Sequence, residues 1–310
     1  MGRPVIAIVG SFGYVGSFLT PAFLDALISG RVREVRILAS SKAVVEGEKG
    51  VALKDVGATV VVVNFARKET LVAALKGVDV VICAMGTGPG SVEARRLLLE
   101  AMVMTGVDVY FPSEWGTNHY DTKRMGGLDH TVFAEKKEHW VEVGLKTGLK
   151  RVRFHCGMIM ESTFGTWAGL DCKKGVWRVP GNGETPIAFT AAKDIGRFAL
   201  EAALLAFSEP NKIPEALEVV GDTASLKDCA TLMDAVSGKK TKLHLLSFQD
   251  ALTKQSQSKD FLAIFPLLFQ AGALNLKREE ANGNAILNPN EEIWQLVKLT
   301  DFAQQTGGIP

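Results

Sequence analysis

A lysine in the middle of an apolar helix face is the first feature of this chain that indicates chemistry. Residues Asp129–Thr147 have the spacing of an amphipathic helix, and Lys136 falls within its apolar stripe. The apolar residues of that stripe are Val132, Phe133, Trp140, Val143 and Gly144. A lysine often buries only its stem and keeps its ammonium in water. The central position favours a functional role instead, as a general acid or base or as a group that stabilises an oxyanion.

Three glycines near the start of the chain have a spacing suited to binding phosphate. Gly10, Gly13 and Gly16 stand between an apolar run and a helical pattern. In that context they permit a tight turn, a close approach of the backbone to a pyrophosphate, and close packing of helix on strand. A tight turn without a ligand is the alternative, but the first position in a β-α series favours a dinucleotide. The other predicted contacts of this loop are Ser11, Phe12, Tyr14 and Val15.

The end of the second predicted strand indicates which dinucleotide binds. An NAD site normally has Asp or Glu there, to bond the ribose 2′-hydroxyl. Here Ala39 is followed by Ser40, Ser41 and Lys42, with no carboxylate. The two hydroxyls and the lysine suit a 2′-phosphate, although a solvated loop lysine is the simpler explanation of Lys42. We predict NADP(H) as the cofactor, with Asn64 near the adenine.

Short β-branched runs alternate with amphipathic stretches in the first half of the chain, which is typical of a parallel sheet covered by helices. The predicted strands are Pro4–Val9, Glu34–Ala39, Thr59–Asn64, Val78–Ala84 and Val107–Phe111. The predicted helices are Tyr14–Ile28, Ala43–Val56, Lys68–Leu75 and Ser91–Met104. Right-handed crossovers bring the carboxyl ends of these strands to one rim. We expect Ala84, Met85 and Gly86 to contact the cofactor on that rim.

The pattern changes after a sixth predicted strand at Lys150–His155. Later segments predict a helix at Thr190–Leu205, a mostly helical remainder and loops at Asn282–Asn290. We therefore predict an α/β fold with a Rossmann-type doubly wound parallel sheet and a smaller, mostly helical C-terminal substrate lobe. The predicted Rossmann domain covers 1–157, and 188–221 returns to it. The predicted substrate-binding lobe covers 158–187 and 222–310.

Composition excludes several classes of protein. The 310 residues are 47% hydrophobic and carry a formal net charge of +1, without the basic face of a nucleic-acid-binding protein. No apolar run reaches the length of a membrane span. Four dispersed cysteines form no metal-binding spacing and are typical of reduced thiols in the cytoplasm. We expect neither nucleic acid, membrane nor metal as a partner, and the sequence leaves a homodimer open.

Several segments together resemble the isoflavone-reductase-like and NmrA-like group of atypical short-chain dehydrogenases. The resemblance spans nearly the whole chain. It rests on Gly10–Gly16, the F-P-S-E-W-G segment at Phe111–Gly116, Lys136, Gly181–Gly183, Phe189-Thr190 and Asp194–Gly196. The basic residue that the group usually has at the end of the second strand is replaced here by Ala39 or Ser40.

The resemblance implies an NADPH-dependent reductase that acts on an aromatic or phenolic secondary metabolite. The matching lysine of such reductases is proposed as the general acid/base beside the nicotinamide, which assigns that role to Lys136. Pro112 and Ser113 would flank the cofactor. Glu114 lies beside them, as a second catalytic group or as a turn residue.

Candidate substrate contacts follow the same segment and continue beyond the sixth strand. We predict that Trp115, Tyr120, Met158, Phe164 and Trp167 contact the substrate. Core packing explains Met158 and Phe164 equally well. His119 and Tyr120 are more typical of ordinary loop residues than of catalytic ones.

Three functions remain open on these residues. The first is hydride transfer from NADPH to a small aromatic molecule. The second is acid–base chemistry such as cyclisation or condensation, with the dinucleotide as a structural element. The third is a non-catalytic NADP sensor that binds a protein partner. A sensor needs no proton donor, so Lys136 argues mildly against this function.

Overall fold

The chain consists of two compact units in a computed structural model that describes residues 2–88, 90–145, 148–258, 260–277 and 281–310. The first unit contains 1–115, 135–154 and 195–217. The second unit contains 116–134, 155–194 and 218–310. This division differs from the predicted domain boundaries. Four segments that were predicted to belong to the Rossmann domain group with the second unit, namely 116–134, 155–157, 188–194 and 218–221.

A six-stranded parallel sheet forms the centre of the first unit. Its spatial order is β3-β2-β1-β4-β5-β6. The strands are β1 Val5–Val9, β2 Glu34–Ala39, β3 Thr59–Val62, β4 Val80–Cys83, β5 Val109–Phe111 and β6 Lys150–Arg151. The order reverses direction beside β1, which is the point where open α/β sheets bind their ligands. The predicted Rossmann-type fold is therefore confirmed.

Helices connect these strands and cover the sheet. In chain order the helices up to the return segment are α1 Tyr14–Ile28, α2 Lys42–Glu46, α3 Glu48–Asp55, α4 Lys68–Leu75, α5 Ser91–Thr105, α6 Thr122–Met125, α7 Thr131–Leu145, α8 Met160–Thr163 and α9 Ala192–Ser208. The single helix predicted at Ala43–Val56 is wrong. Gly47 has extended backbone (φ −71°, ψ 165°) and separates α2 from α3. Residues 146 and 147, the end of another predicted helix, lie outside the described residues.

Close packing of α1 explains two glycines. A Cβ at Gly16 would collide with the Gly10 carbonyl, so this glycine lets α1 pack against the turn that follows β1. On its other side, a Cβ at Gly196 of α9 would lie 2.8 Å from the Phe18 carbonyl oxygen. Gly196 thus allows α9 to approach the backbone of α1.

The rest of the chain contains further strands and helices. The remaining strands are β7 Arg153–His155, β8 Met158–Ile159, β9 Leu170–Asp171, β10 Val176–Pro180, β11 Ile187–Thr190, β12 Ala216–Glu218, β13 Asp222–Ala224 and β14 Lys242–Leu246. Two three-stranded sheets have the orders β14-β10-β9 and β13-β11-β8, and β12 pairs with β7. The remaining helices are α10 Leu226–Ser237, α11 Phe248–Gln257, α12 Phe265–Ala271, α13 Asn282–Leu287 and α14 Leu299–Gln305.

Two later predictions are wrong in detail. The loop predicted at Asn282–Asn290 begins with helix α13, in which Gly283 packs closely against the Glu218 backbone. The strand predicted at Lys150–His155 is interrupted at Val152, so β6 joins the main sheet and β7 pairs with β12. Within the described part of the chain, no helix is long and apolar enough to cross a membrane.

Candidate active site

A cavity of about 800 Å³ opens at the carboxyl ends of β1, β2 and β4 in the first unit. We call it the dinucleotide cavity. Its volume lies within the range typical of small-molecule and cofactor sites. Eight predicted contact residues line it, namely Gly10, Phe12, Gly13, Ser40, Asn64, Ala84, Met85 and Gly86. The sequence did not predict Val9, Leu38, Ala39, Val44, Phe65, Ala66, Thr87, Gly88, Gly90, Ser91, Glu93 and Ala94.

The glycine turn has the geometry that a phosphate-binding loop requires. Gly10 has a φ of +90°, and a Cβ there would lie 2.5 Å from the Ala84 carbonyl oxygen. Gly13 precedes α1 in extended conformation and provides no side-chain cap for the first turn. The N-terminus of α1 therefore faces the cavity through backbone alone, which suits a pyrophosphate.

Other predicted cofactor residues lie outside the lining. Ser11 and Gly16 are buried behind the turn, Val15 is half-buried, and the Tyr14 side chain is 53% exposed. In the next connection, Ser41 accepts a hydrogen bond from the Val44 N–H at 3.4 Å and so caps α2. The side chain of Lys42 is exposed. Contact of these residues with the cofactor stays a prediction.

Lys136 and Glu114 lie together in the first unit. The Lys136 Nζ is 3.7 Å from the Glu114 Oε2, and the two side chains are 20% and 2% exposed. Helix α7 supplies the lysine, and the turn after β5 supplies the carboxylate. In that turn the Glu114 N–H donates to the Pro112 carbonyl at 2.8 Å, and Ser113 is half-buried. The predicted apolar stripe holds at Val132, Phe133, Trp140 and Val143, whereas Gly144 is exposed.

Further buried polar groups surround this pair, and the sequence did not predict them. Arg95 of α5 is 3% exposed, and its Nη2 lies 3.6 Å from the Glu135 Oε2. The Tyr110 hydroxyl and the His139 Nε2 are 3.0 Å apart. We call Arg95, Glu114, Glu135, Lys136 and His139 the lysine cluster. Arg95 shares the buried face of α5 with Ala94 and Leu98. A charged residue within that apolar pattern was the sequence signal that could have indicated a buried arginine.

Burial keeps the neighbouring titratable groups neutral. It lowers the pKa of His139 to about 4, and the charge of Arg95 lowers it further in the same direction. Burial also raises the pKa of Cys83 and raises that of Tyr110 well above its ordinary value. Imidazole, thiol and phenol are thus uncharged at neutral pH.

Cys83 connects the two regions along the chain. The charges of Arg95 and Lys136 both act on its thiol. The next two residues, Ala84 and Met85, line the dinucleotide cavity. One strand end therefore carries both the cavity wall and a neighbour of the lysine.

Trp115 and the aromatic side chains predicted to bind substrate have separate environments. In the first unit, the Trp115 Nε1 donates to the Cys83 carbonyl at 2.8 Å, so this buried indole supports the strand end. In the second unit, Tyr120 lies beside His119 with ring centroids 4.4 Å apart. Trp167 is 36% exposed and donates to the Ser162 carbonyl.

Met158 and Phe164 belong to the buried core of the second unit. The ring of Phe164 packs against Trp177, Phe189 and Phe302 at centroid distances of 5.8 Å. Core packing accounts for both residues, while their contact with substrate stays a prediction.

Comparison with known sequences identifies the family. A profile of the NmrA-like family matches residues 3–278, so the chain belongs to the NmrA-like family. The resemblance predicted from the sequence is thereby confirmed.

Individual relatives are similar over different shares of their length. An NmrA-like family domain-containing oxidoreductase of Gibberella moniliformis is 27% identical over 204 residues, 65% of each chain. A bifunctional pinoresinol-lariciresinol reductase of Linum usitatissimum is 33% identical over 131 residues, 41% of this chain and 39% of the relative. An isoflavone reductase homolog of Zea mays is 26% identical over 269 residues, 81% and 80% of the two chains. The chain thus matches less than two thirds of the first two relatives.

Solved structures share the fold over nearly the whole chain. Leucoanthocyanidin reductase from Vitis vinifera in complex with NADPH has a TM-score of 0.76 at 19% identity, covering 98% of this chain and 99% of that one. AtPrR2 with NADP⁺ and (+)pinoresinol has a TM-score of 0.76 at 18% identity, with the same coverage. At these identities the likeness establishes the fold.

Proposed function

We propose that this protein is an NADPH-dependent reductase of a small aromatic or phenolic molecule, in which Lys136 is the general acid. The observation that carries the proposal is the ion pair of Lys136 with the buried Glu114, in the same unit as a glycine-lined cavity. The strand end at Cys83–Met85 belongs to both regions. A small phenolic metabolite as substrate and a cytoplasmic location are part of this proposal.

The residues of the cavity fit a dinucleotide. Gly10 and Gly13 leave the backbone bare where a pyrophosphate would lie, and α1 begins directly behind them. When bound, the cofactor supplies the hydride, and the protein supplies placement and electrostatics. Named relatives support this assignment, because a pinoresinol-lariciresinol reductase and an isoflavone reductase homolog are among them. Two structural neighbours are complexes with NADPH or NADP⁺.

The lysine cluster supplies the proton. Lys136 Nζ carries protons that it can donate to an oxygen on which negative charge develops. Glu114 holds the ammonium in one position through the ion pair, and its own backbone N–H is fixed by the Pro112 carbonyl. Positioning of this kind lowers the cost of the proton transfer.

Acid–base chemistry without hydride transfer is a second candidate. The pairing of a buried carboxylate with Lys136 favours it, because two such groups are sufficient to move protons on a substrate. In this case the dinucleotide would remain in one oxidation state throughout turnover.

Turnover of purified protein with NADPH and a panel that includes pinoresinol tests both candidates. We expect Lys136→Met to lower kcat by about 10²–10⁴-fold while the NADPH dissociation constant stays unchanged. Lys137→Met removes the neighbouring lysine and is the matched control, with activity near wild type. Product formed without loss of NADPH absorbance would establish the second candidate. Full activity of Lys136→Met would refute the role of Lys136 in either candidate.

A further inference from the structure

The dinucleotide cavity has few charged side chains. Among the described residues that line it, Glu93 is charged and none is a lysine or arginine. NADPH carries a 2′-phosphate that NADH lacks, and proteins normally recognise this group through a cation. The lining therefore offers the additional phosphate no charged partner.

Ser40 occupies the position that ordinarily distinguishes the two cofactors. It follows the last residue of β2, lines the cavity and is exposed. A carboxylate there would bond the 2′-hydroxyl of NADH and repel a phosphate, whereas an arginine would bind the phosphate. A serine hydroxyl both donates and accepts hydrogen bonds, so it suits either group.

The nearest cations along the chain are exposed. Lys42 is the first residue of α2, and its side chain is exposed. Arg67 follows the lining residue Ala66, but its side chain is 68% exposed and its Nε lies 3.9 Å from Glu69. An ion pair in water changes an equilibrium constant by about fivefold at most. Neither cation gives strong selection for a phosphate.

We propose that the cavity binds NADH and NADPH with dissociation constants within about tenfold of each other, and that Ser40 sets this weak discrimination. The inference rests on the proposed dinucleotide-dependent function and extends it to a second reductant. A matched pair of substitutions follows from the geometry. Arginine at Ser40 supplies the missing cation, and aspartate supplies the missing carboxylate.

Calorimetric titration of the full chain with NADPH and with NADH measures the discrimination without any substrate. We expect Ser40→Arg to shift the ratio of dissociation constants toward NADPH by about tenfold or more and Ser40→Asp to shift it equally toward NADH. Lys42→Gln is expected to weaken NADPH binding by less than about fivefold. Lys49→Gln, on α3, removes the same charge outside the lining as the control. Circular dichroism checks that each variant is folded.

The titrations test the weak discrimination, the role of Ser40 and the proposed function separately. A ratio of the two dissociation constants above tenfold in wild type, in either direction, overturns the weak discrimination. So does a loss of NADPH affinity in Lys42→Gln that exceeds fivefold and is larger than the loss in Lys49→Gln. Unchanged ratios in both Ser40 variants overturn the role of Ser40. Binding of neither dinucleotide removes the proposed function itself. Binding of both without turnover leaves this inference in place.

Discussion

The dinucleotide cavity and the lysine cluster lie in the same unit but have walls of different kinds. Backbone forms much of the cavity, where five glycines and four alanines leave space for a ligand. Polar and charged side chains form the lysine cluster, where Arg95 and Glu114 are both buried. Shape determines what the first region binds, whereas electrostatics determines what the second can do.

The two regions also differ in how the chain assembles them. The glycine turn is one continuous segment between β1 and α1. The lysine cluster combines three separate segments, namely α5, the turn after β5 and α7. A local motif tolerates changes elsewhere, but a cluster of this kind depends on the packing of whole helices.

Gly10→Ala should have the largest effect, because it tests the region that backbone forms. A Cβ there is strained by the φ of +90° and approaches the Ala84 carbonyl oxygen to 2.5 Å. We expect a loss of about 4 kcal/mol in the free energy of unfolding, measured by urea denaturation, together with loss of dinucleotide binding.

Gly86→Ala is the matched control for that substitution. Gly86 lines the same cavity, but a Cβ there meets nothing within 4 Å. Its stability should equal that of the wild type. Equal stability of Gly10→Ala and Gly86→Ala would show that the turn accommodates a side chain, contrary to this account.

The same contrast explains what the sequence predicted. The glycine turn, β2 and α1 were predictable because their signals are local: spacing, an apolar run and a helical period. The buried face of α7 was also predictable, apart from Gly144. Arg95 and His139 were not predicted, because a polar residue within a helical pattern does not show which other segment of the chain will cover it.

One helix was predicted wrongly, as a single element at Ala43–Val56. The break at Gly47 was missed because a glycine within a helical pattern does not by itself show whether the backbone turns.

The next largest expected effect is a dependence of the free energy of unfolding on pH, which arises from His139. Its pKa is about 4 in the folded protein because of burial, with Arg95 adding to the effect, and about 6.5 in an unfolded chain. The unfolded state therefore takes up a proton first as the pH falls from 6.5 to 4. The folded state loses about 3 kcal/mol relative to the unfolded state by pH 4.

Unfolding curves of wild type and His139→Gln between pH 7 and 4 measure this loss. Glutamine keeps a polar partner for the Tyr110 hydroxyl but cannot take up the proton. The variant should lose less stability than wild type over this range. His244→Gln replaces an exposed histidine of β14 and should follow the wild-type curve. Parallel curves for wild type and His139→Gln would mean that His139 is not held neutral.

Glu135→Gln tests the charge balance of the lysine cluster with a smaller effect. The substitution removes the carboxylate 3.6 Å from the buried Arg95 guanidinium. Because Glu135 is 38% exposed, we expect a loss of only about 1 kcal/mol. Glu138→Gln, exposed on the same helix, should leave the urea midpoint unchanged. Adding Arg95→Met to Glu135→Gln should restore stability, and a further loss would show that Arg95 has another essential contact.

The smallest effect concerns the one carboxylate among the described residues that line the cavity. Glu93 forms an exposed ion pair with Arg96, so its charge is largely screened by solvent. Its removal should tighten dinucleotide binding by about twofold, the size of a single Coulomb interaction across about 10 Å of water. The gain in Glu93→Gln should disappear at high salt, and Glu69→Gln, exposed on α4 outside the lining, should show none. A gain above tenfold that persists in salt would mean that charge, rather than backbone shape, limits binding in the cavity.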